Sequence, residues 1–371
     1  MLNINRNNPS DIKLILKNKK FKKISVITGY NSYYKSNANL ILENIFKSRN
    51  VDFYFKKNFI PEVNELEKII SRLKKFKPDI IIAVGGGTVI DYAKLANIFY
   101  FKKDFRYLII NNKLKFKKKL CPIIALPTTA GSGAEVTSNA VIYINKIKYS
   151  VENHLLKPNY FFIIPSFLLK LNYKIKASTG FDALSQSIES IISLRSNKTS
   201  RYYAEESLKL IDKYFTSYLH KPDKINSFYM GLAANLSGKA INITKTTAPH
   251  AVSYPFTSLY GIPHGHAVSL TLNKFLAFNY KNLNQVSSNF DLKNRFQSLF
   301  RVTKSKNFNE FSSFLENLKK EARLNKKLKT MGVNINKDLS KILSGVNFKR
   351  LKNNPIPTDL TVVKKILLDL K

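Results

Sequence analysis

The chain has 371 residues, 44% of them apolar, a single cysteine (Cys121), and 62 Lys and Arg against 24 Asp and Glu, for a formal charge of +38. That length suits two domains with separate cores, and one cysteine excludes both an internal disulfide framework and a Cys-rich zinc site. The opening MLNINRNNPSDIKLILKNKK lacks the apolar core of a signal peptide and no run reaches 18 apolar residues, so a cytoplasmic protein with no membrane segment is expected.

Taken alone, +38 suits a nucleic-acid binder. The lysines, however, are spread along the whole chain among abundant Asn and Ile. The basic runs KKFKK (19–23) and KLKFKKK (113–119) lie between apolar, strand-like segments and read as solvated faces. There is no zinc-finger spacing and no aromatic RNA-binding motif, so no nucleic-acid partner is expected.

In chain order, KISVITG (23–29) reads as a strand, NANLILENIFKSR (37–49) as a helix, VDFYF (51–55) as a strand and NELEKIISRLKKF (64–76) as a helix. DIIIAVGGG (79–87) is a continuous apolar strand stopped by glycine, and TVIDYAKLANIFY (88–100) resumes helical spacing. Strands alternating with helices predict a parallel sheet covered on both faces. CPIIALPTTAGSGAEVT (121–137) reads as a further strand ending in small residues. From about Ile164 the glycines thin out, and segments 176–194, 200–215 and 311–324 read as helices. The expected organisation is an α/β domain over 1–164 followed by an all-α domain over 165–371.

Gly85, Gly86 and Gly87 follow a buried-type strand and open a helix, where glycine lets backbone N–H groups approach a pyrophosphate. A tight strand-to-helix turn wants glycine for its own sake as well. A second small-residue loop, PTTAGSGAE (127–135), adds the hydroxyls of Thr128, Thr129 and Ser132. Two such loops at the C-terminal ends of parallel strands mark a nucleotide crevice.

Asp182 and Gln186 in FDALSQSIES stand four apart, on one helix face. They either help hold a metal or follow an ordinary capping signal at Ser178 and Thr179. His154 and His220 stand alone. His250 lies on an apparent short helix closed by Pro255, and His264 sits between Pro263 and Gly265. Two imidazoles and a carboxylate suit iron(II) or zinc with open positions for substrate.

The motifs GGGTVIDYAK, PTTAGSGAEVT, GFDAL and PHG, in this order and at these separations, resemble the iron-containing (group III) alcohol dehydrogenases, relatives of dehydroquinate synthase and glycerol dehydrogenase. The resemblance runs from about Ile24 to the last helices. It implies an α/β dinucleotide-binding domain, a helical C-terminal domain, and a divalent metal in the cleft between them, for reduction of an aldehyde with NADPH or NADH. On the same ground Gly29, Gly85, Gly86, Gly87, Thr88, Asp91, Thr128, Thr129 and Ser132 would hold the cofactor. Asp182, Gln186, His250 and His264 would hold Fe2+ or Zn2+.

Gln186 stands where the family has a histidine, and Tyr254 where it often has another. Gly29 stands where many members carry an aspartate for the adenosine ribose, so NADPH should be accepted at least as well as NADH. Within the family, DALSQSIES with TKTTAPHAVSYPFTSLYGIPHGHAV is most similar to phosphonoacetaldehyde reductases (2-hydroxyethylphosphonate dehydrogenases) of phosphonate biosynthesis. That branch implies a small anionic aldehyde. Lys245, with Thr246 and Thr247, would bind the anion from within about two turns of the metal if the segment is helical. Tyr254 or His266 would feed the proton. A general dehydrogenase of short-chain alcohols is the alternative, and a homodimer is a possible assembly.

Overall fold

The structure, a computed structural model, describes residues 8–286, 289–324 and 328–370. It divides into two compact units, Met1–Leu171 with Asp223–Gly231, and Asn172–Pro222 with Leu232–Lys371.

The first unit opens with helix α1 (Pro9–Asn18), which the sequence reading did not anticipate. Asn8 caps it by accepting from the Ser10 N–H, and Ile12, Ile15 and Leu16 bury one stripe of an otherwise lysine-rich segment. There follow β1 (Lys23–Gly29), α2 (Ala38–Phe46), β2 (Asn50–Lys56), α3 (Val63–Phe76), β3 (Ile80–Gly85), α4 (Gly87–Phe99), α5 (Phe105–Ile110) and β4 (Ile123–Pro127). An antiparallel hairpin, β5 (Asn139–Ile144) and β6 (Ile147–Glu152), precedes β7 (Tyr160–Phe161) and α6 (Pro165–Leu169).

The expected parallel sheet is present, in the order β2-β1-β3-β4-β7. Every residue of β3 is buried. Ile81 and Ala83 join one core, while Ile80, Ile82 and Val84 join the core on the opposite face. Each fully buried aliphatic side chain contributes about 1.5–3 kcal/mol, which is why an uninterrupted apolar run becomes a central strand.

Two expectations need correction here. The strand read over 121–137 stops at Pro127, and the small residues after it form a loop. The hairpin at 139–152 was not foreseen. Its turn, Asn145-Lys146, has both residues at positive φ (51° and 65°), the backbone of a tight two-residue hairpin connection.

In the second unit the described residues form helices α7 (Tyr173–Ile192), α8 (Lys198–His220), α9 (Lys224–Thr244, entering this unit at Leu232), α10 (Ala248–Tyr260) and α11 (His264–Lys281). The set is completed by α12 (Leu292–Val302), α13 (Phe308–Glu321), α14 (Ile335–Ser344), α15 (Phe348–Leu351) and α16 (Leu360–Leu368). Among the described residues, no helix is long and apolar enough to cross a membrane.

Helix α7 is the axis of this unit, buried on nearly all sides and packed by α8, α11 and α12. Two of its buried serines return hydrogen bonds to their own helix, Ser185 to the Phe181 carbonyl and Ser187 to that of Ala183, which satisfies their hydroxyls. The capping role suggested for Ser178 and Thr179 is not what the structure shows. The helix begins earlier, at Tyr173, with the Asn172 side chain accepting from the Ile175 N–H, and Ser178 and Thr179 lie in its second turn.

Nor does Pro255 close the helix of His250. α10 runs through it to Tyr260 and ends at Gly261, where φ is +67°. A proline deprives the carbonyl four residues earlier of its donor. Here that carbonyl, of Ala251, accepts from the Asn347 N–H at 3.1 Å. The Asn353 side chain likewise donates to the carbonyls of Thr244 (2.7 Å) and Thr246 (3.0 Å), holding the link between α9 and α10.

Candidate functional site

The two small-residue loops of the first unit lie against each other. Gly86, the N-cap of α4, has φ −74° and ψ −172°, an extended backbone any residue can adopt. Close approach is therefore what demands glycine. A Cβ on Gly85 would fall 2.5 Å from Val89, one on Gly86 3.0 Å from the Thr129 hydroxyl, and one on Gly87 2.8 Å from the Ser132 hydroxyl. Thr129 and Ser132 thus border the first turn of α4, where the Val89 N–H already donates to the Gly86 carbonyl at 3.0 Å and the helix carries its positive dipole end. The Thr128 N–H donates to the Gly85 carbonyl at 3.1 Å and fastens one loop to the other.

The remaining cofactor candidates differ among themselves. Thr88 is half-buried, and its hydroxyl donates to the Phe59 carbonyl at 3.3 Å. Asp91 points its carboxylate at β5 and accepts the Val141 N–H at 3.0 Å; burial pushes its pKa up to about 6. Lys94, three residues on and fully buried, donates to the Thr137 carbonyl, the Thr137 hydroxyl and the Asn139 carbonyl, each at 3.0 Å. Burial pulls its pKa down to about 8. Gly29 is the last residue of β1, and a Cβ there would meet nothing closer than 3.6 Å.

In the second unit Asp182 of α7, His250 of α10 and His264 of α11 bring one ligand atom each to within 4.8 Å of one another. Gly265 makes this convergence possible. A Cβ there would sit 1.9 Å from the Ser178 carbonyl oxygen and 2.8 Å from the Asp182 nitrogen, so only glycine lets α11 start this close to α7. The His266 N–H also donates to the Ser178 hydroxyl, at 3.2 Å.

Glu189, which the sequence reading did not single out, fixes the orientation of His250. It is fully buried, and one of its oxygens accepts the Thr247 N–H (2.7 Å) and hydroxyl (2.9 Å). The other accepts from His250 Nδ1. That bond assigns the ring proton to Nδ1 and leaves Nε2 toward Asp182 Oδ1, 3.2 Å away. The signal was in the sequence: 182, 186 and 189 are one helical stripe.

Burial alone would lower the His250 pKa, but the charges of Glu189 and Asp182 outweigh it and hold the ring at about 9. Two carboxylates this buried favour a positive charge between them. A carboxylate, two imidazoles and an outer carboxylate holding one imidazole fit a divalent ion such as Fe2+ or Zn2+, which would take the place of a proton on Nε2 while the Nδ1 proton stays with Glu189.

The other candidates are placed as follows. Gln186 is buried, with its carbonyl oxygen 2.9 Å from the Ser237 hydroxyl on α9. Tyr254 is buried, stacks on His264 (centroids 5.6 Å apart, planes 15°) and hydrogen-bonds the Thr246 side chain; burial raises its pKa. His266 is half-buried in the first turn of α11, two residues after His264. Residues 245–247 are not helical, which corrects the two-turn estimate for Lys245. Lys245 adopts a left-handed backbone (φ 62°) at the end of α9, and Thr247 is the N-cap of α10, with its hydroxyl committed to Glu189.

Fold and site together define a class: a parallel α/β unit carrying a glycine-lined helix N-terminus, and an all-helical unit carrying an Asp–His–His metal cluster. The chain belongs to the iron-containing alcohol dehydrogenase family, whose N-terminal part matches residues 3–165 and whose C-terminal part matches residues 176–370.

Among its relatives, a 1-propanol dehydrogenase of Citrobacter freundii is 29% identical over 222 residues, covering 59% of this chain and 56% of that protein. A phosphonoacetaldehyde reductase of Streptomyces viridochromogenes is 29% identical over 218 residues, 56% of this chain and 55% of that protein. The chain thus spans about half the length of the curated relatives it matches. The crystal structure of sulfoacetaldehyde reductase from Bifidobacterium kashiwanohense, in complex with NAD+, superposes with TM-score 0.86 at 25% identity, over 98% of this chain and 94% of that one.

Proposed function

We propose that the protein is an NAD(P)H-dependent aldehyde reductase acting on a small anionic aldehyde, most specifically phosphonoacetaldehyde, which it converts to 2-hydroxyethylphosphonate for phosphonate biosynthesis in the cytoplasm. The observation that carries the catalytic reading is the Asp182–His250–His264 cluster with Glu189 behind it. The dinucleotide would rest on Gly85, Gly86 and Gly87 with Thr129 and Ser132, and the metal on the three ligands, Gln186 beside them anchored to Ser237. When bound, the nicotinamide supplies hydride and the metal polarises the carbonyl.

The chain's own residues do the rest. Glu189 keeps the His250 proton on Nδ1, so that Nε2 is free to ligate. Tyr254, its phenol held protonated by burial and its ring stacked on His264, supplies the proton that completes the alcohol; His266, two residues beyond His264 on α11, is the second candidate for that role. Lys245 and Thr246 bind the anionic end of the substrate.

Support for an anionic substrate comes from the phosphonoacetaldehyde and sulfoacetaldehyde reductases among the relatives, and from the +38 charge, which draws in a dianion. The test is kcat/KM for phosphonoacetaldehyde against propanal. A preference of about tenfold or more is expected, and Lys245→Asn, a residue that tolerates the left-handed backbone, should narrow it by raising KM for the phosphonate alone. Equal efficiency on the two aldehydes would leave a general short-chain alcohol dehydrogenase. With Gly29 at the end of β1, NADPH should serve at least as well as NADH, and Gly29→Asp, whose Cβ would meet nothing closer than 3.6 Å, should shift preference to NADH.

A further inference from the structure

We propose that α8 and α12 carry a binding site for a phosphate-class dianion, free or borne by a small ester, with Arg201 and Arg295 as its two cationic arms and the Ser196 hydroxyl as a third donor.

The packing of α12 against α8 brings two guanidinium groups near each other. Arg201 is the fourth residue of α8 and Arg295 the fourth of α12. One turn beyond Arg201, on the same face of α8, Glu205 reaches across to Arg301 of α12, with Oε1 and Nη2 3.9 Å apart. Burial and the charge of Arg201 hold the Arg295 guanidinium below its ordinary pKa, against the opposing pull of Asp291 and Glu205. Two half-buried cations this close repel, and an anion between them turns that repulsion into attraction.

Each guanidinium also keeps a donor turned inward with nothing to receive it. Arg201 Nε and Arg295 Nη1 are shielded from solvent and donate to no protein atom, and among the described residues these are the two arginines so left. An arginine has no acceptor to offer and stays charged, so a shielded N–H of this kind calls for an oxygen. The Ser196 hydroxyl is shielded and without a partner as well. Ser196 directly precedes Asn197, the N-cap of α8. Side chains in the place before the cap and at the fourth helical residue are the pair that meet at the start of a helix, and here they are Ser196 and Arg201.

The neighbouring carboxylates are engaged elsewhere. Asp291 caps α12 by accepting the Asn294 N–H at 2.9 Å, and Glu205 faces Arg301. Arg295 is held in place besides, its guanidinium carbon 5.1 Å from the Phe290 ring centroid. Forked guanidinium donors match the oxygens of a phosphate, which offers at least three terminal oxygens to three donor side chains. Both arginines are only half-buried, so an ester substituent would point to solvent.

Isothermal titration calorimetry of the full chain, at ionic strength fixed with sodium chloride, should show a site for inorganic phosphate with Kd of about 1 mM or below. Arg201→Gln and Arg295→Gln should each weaken it by about tenfold or more, the worth of a charged hydrogen bond, while Lys245→Asn should leave it unchanged. Should a glutamine variant fail to fold, Arg295→Lys keeps the charge, loses the fork and should weaken binding too. Phosphate should raise the melting temperature of the wild type and of neither glutamine variant. Glycerol 3-phosphate binding at least as tightly as the free ion would assign the site to an ester, and tighter binding of inorganic phosphate to the ion itself. Phosphate affinity that survives in the arginine variants, or a stabilisation that chloride reproduces at equal ionic strength, would overturn the proposal.

Discussion

The glycine turn of the first unit and the metal cluster of the second present polar groups to a ligand by opposite means. In the first, the groups are backbone amides, and the side chains that would obstruct them are absent: Gly85, Gly86 and Gly87 leave room for Val89, Thr129 and Ser132. In the second, the groups are side chains brought together from distant parts of the chain, Asp182 and His250 being 68 residues apart, and His250 is held by Glu189 behind it. The first site should therefore fail when atoms are added, and the second when they are removed. Gly265 is the instructive exception, a position in the second unit where an added atom would meet the Ser178 backbone oxygen at 1.9 Å.

The largest effect is expected from His264→Ala. Loss of a ligand should cost activity by more than the ~100-fold that bounds removal of an outer hydrogen bond, and metal analysis of the purified variant should show depletion. Full activity in chelator-stripped wild type would break this side of the comparison. Glu189→Gln tests whether the orienting residue matters apart from the ligands: metal affinity, measured by competition with a chelator, should fall about 10–100-fold while circular dichroism stays unchanged.

Gly87→Ala tests the first unit from the other direction. The added methyl meets the Ser132 hydroxyl at 2.8 Å, so the cofactor KM should rise about tenfold with little change in kcat, a loss of about 1.4 kcal/mol. An unchanged KM would mean that Ser132 simply moves aside. The smallest effect is expected from Gln186→His, which adds an imidazole on the same face as Asp182. Metal retention should improve a few-fold in a dialysis assay, at about the size of a single hydrogen bond, without faster turnover.

What the sequence disclosed follows the same division. The glycine turn and the small-residue loop were legible because each lies within a few residues of a strand end, and the parallel sheet was legible from uninterrupted apolar runs such as IIIAV. Asp182, His250 and His264 could be named from residue type and family motif. Their supports could not: the Glu189 bond to His250, the contact of Gly265 with Ser178 and the Asn347 donor to Ala251 all join positions far apart in the chain. The misread helix end at Pro255 has this cause as well, since a proline breaks a helix only where the carbonyl it deprives finds no other donor. The hairpin at 139–152 was overlooked because its turn, Asn-Lys, lacks the glycine that usually announces one.

The hydrogen bonds from Asn347 and Asn353 also bear on the order in which the molecule comes together. Until those asparagines have been synthesised, the Ala251 carbonyl lacks its donor and the link between α9 and α10 lacks its clasp. The stretch bearing His250 therefore belongs among the last parts of the chain to settle, its contacts being among the most distant in sequence and the slowest to close. A nascent chain released short of residue 347 would hold Asp182, His250 and His264 and still lack the hydrogen bonds that secure the segment bearing His250.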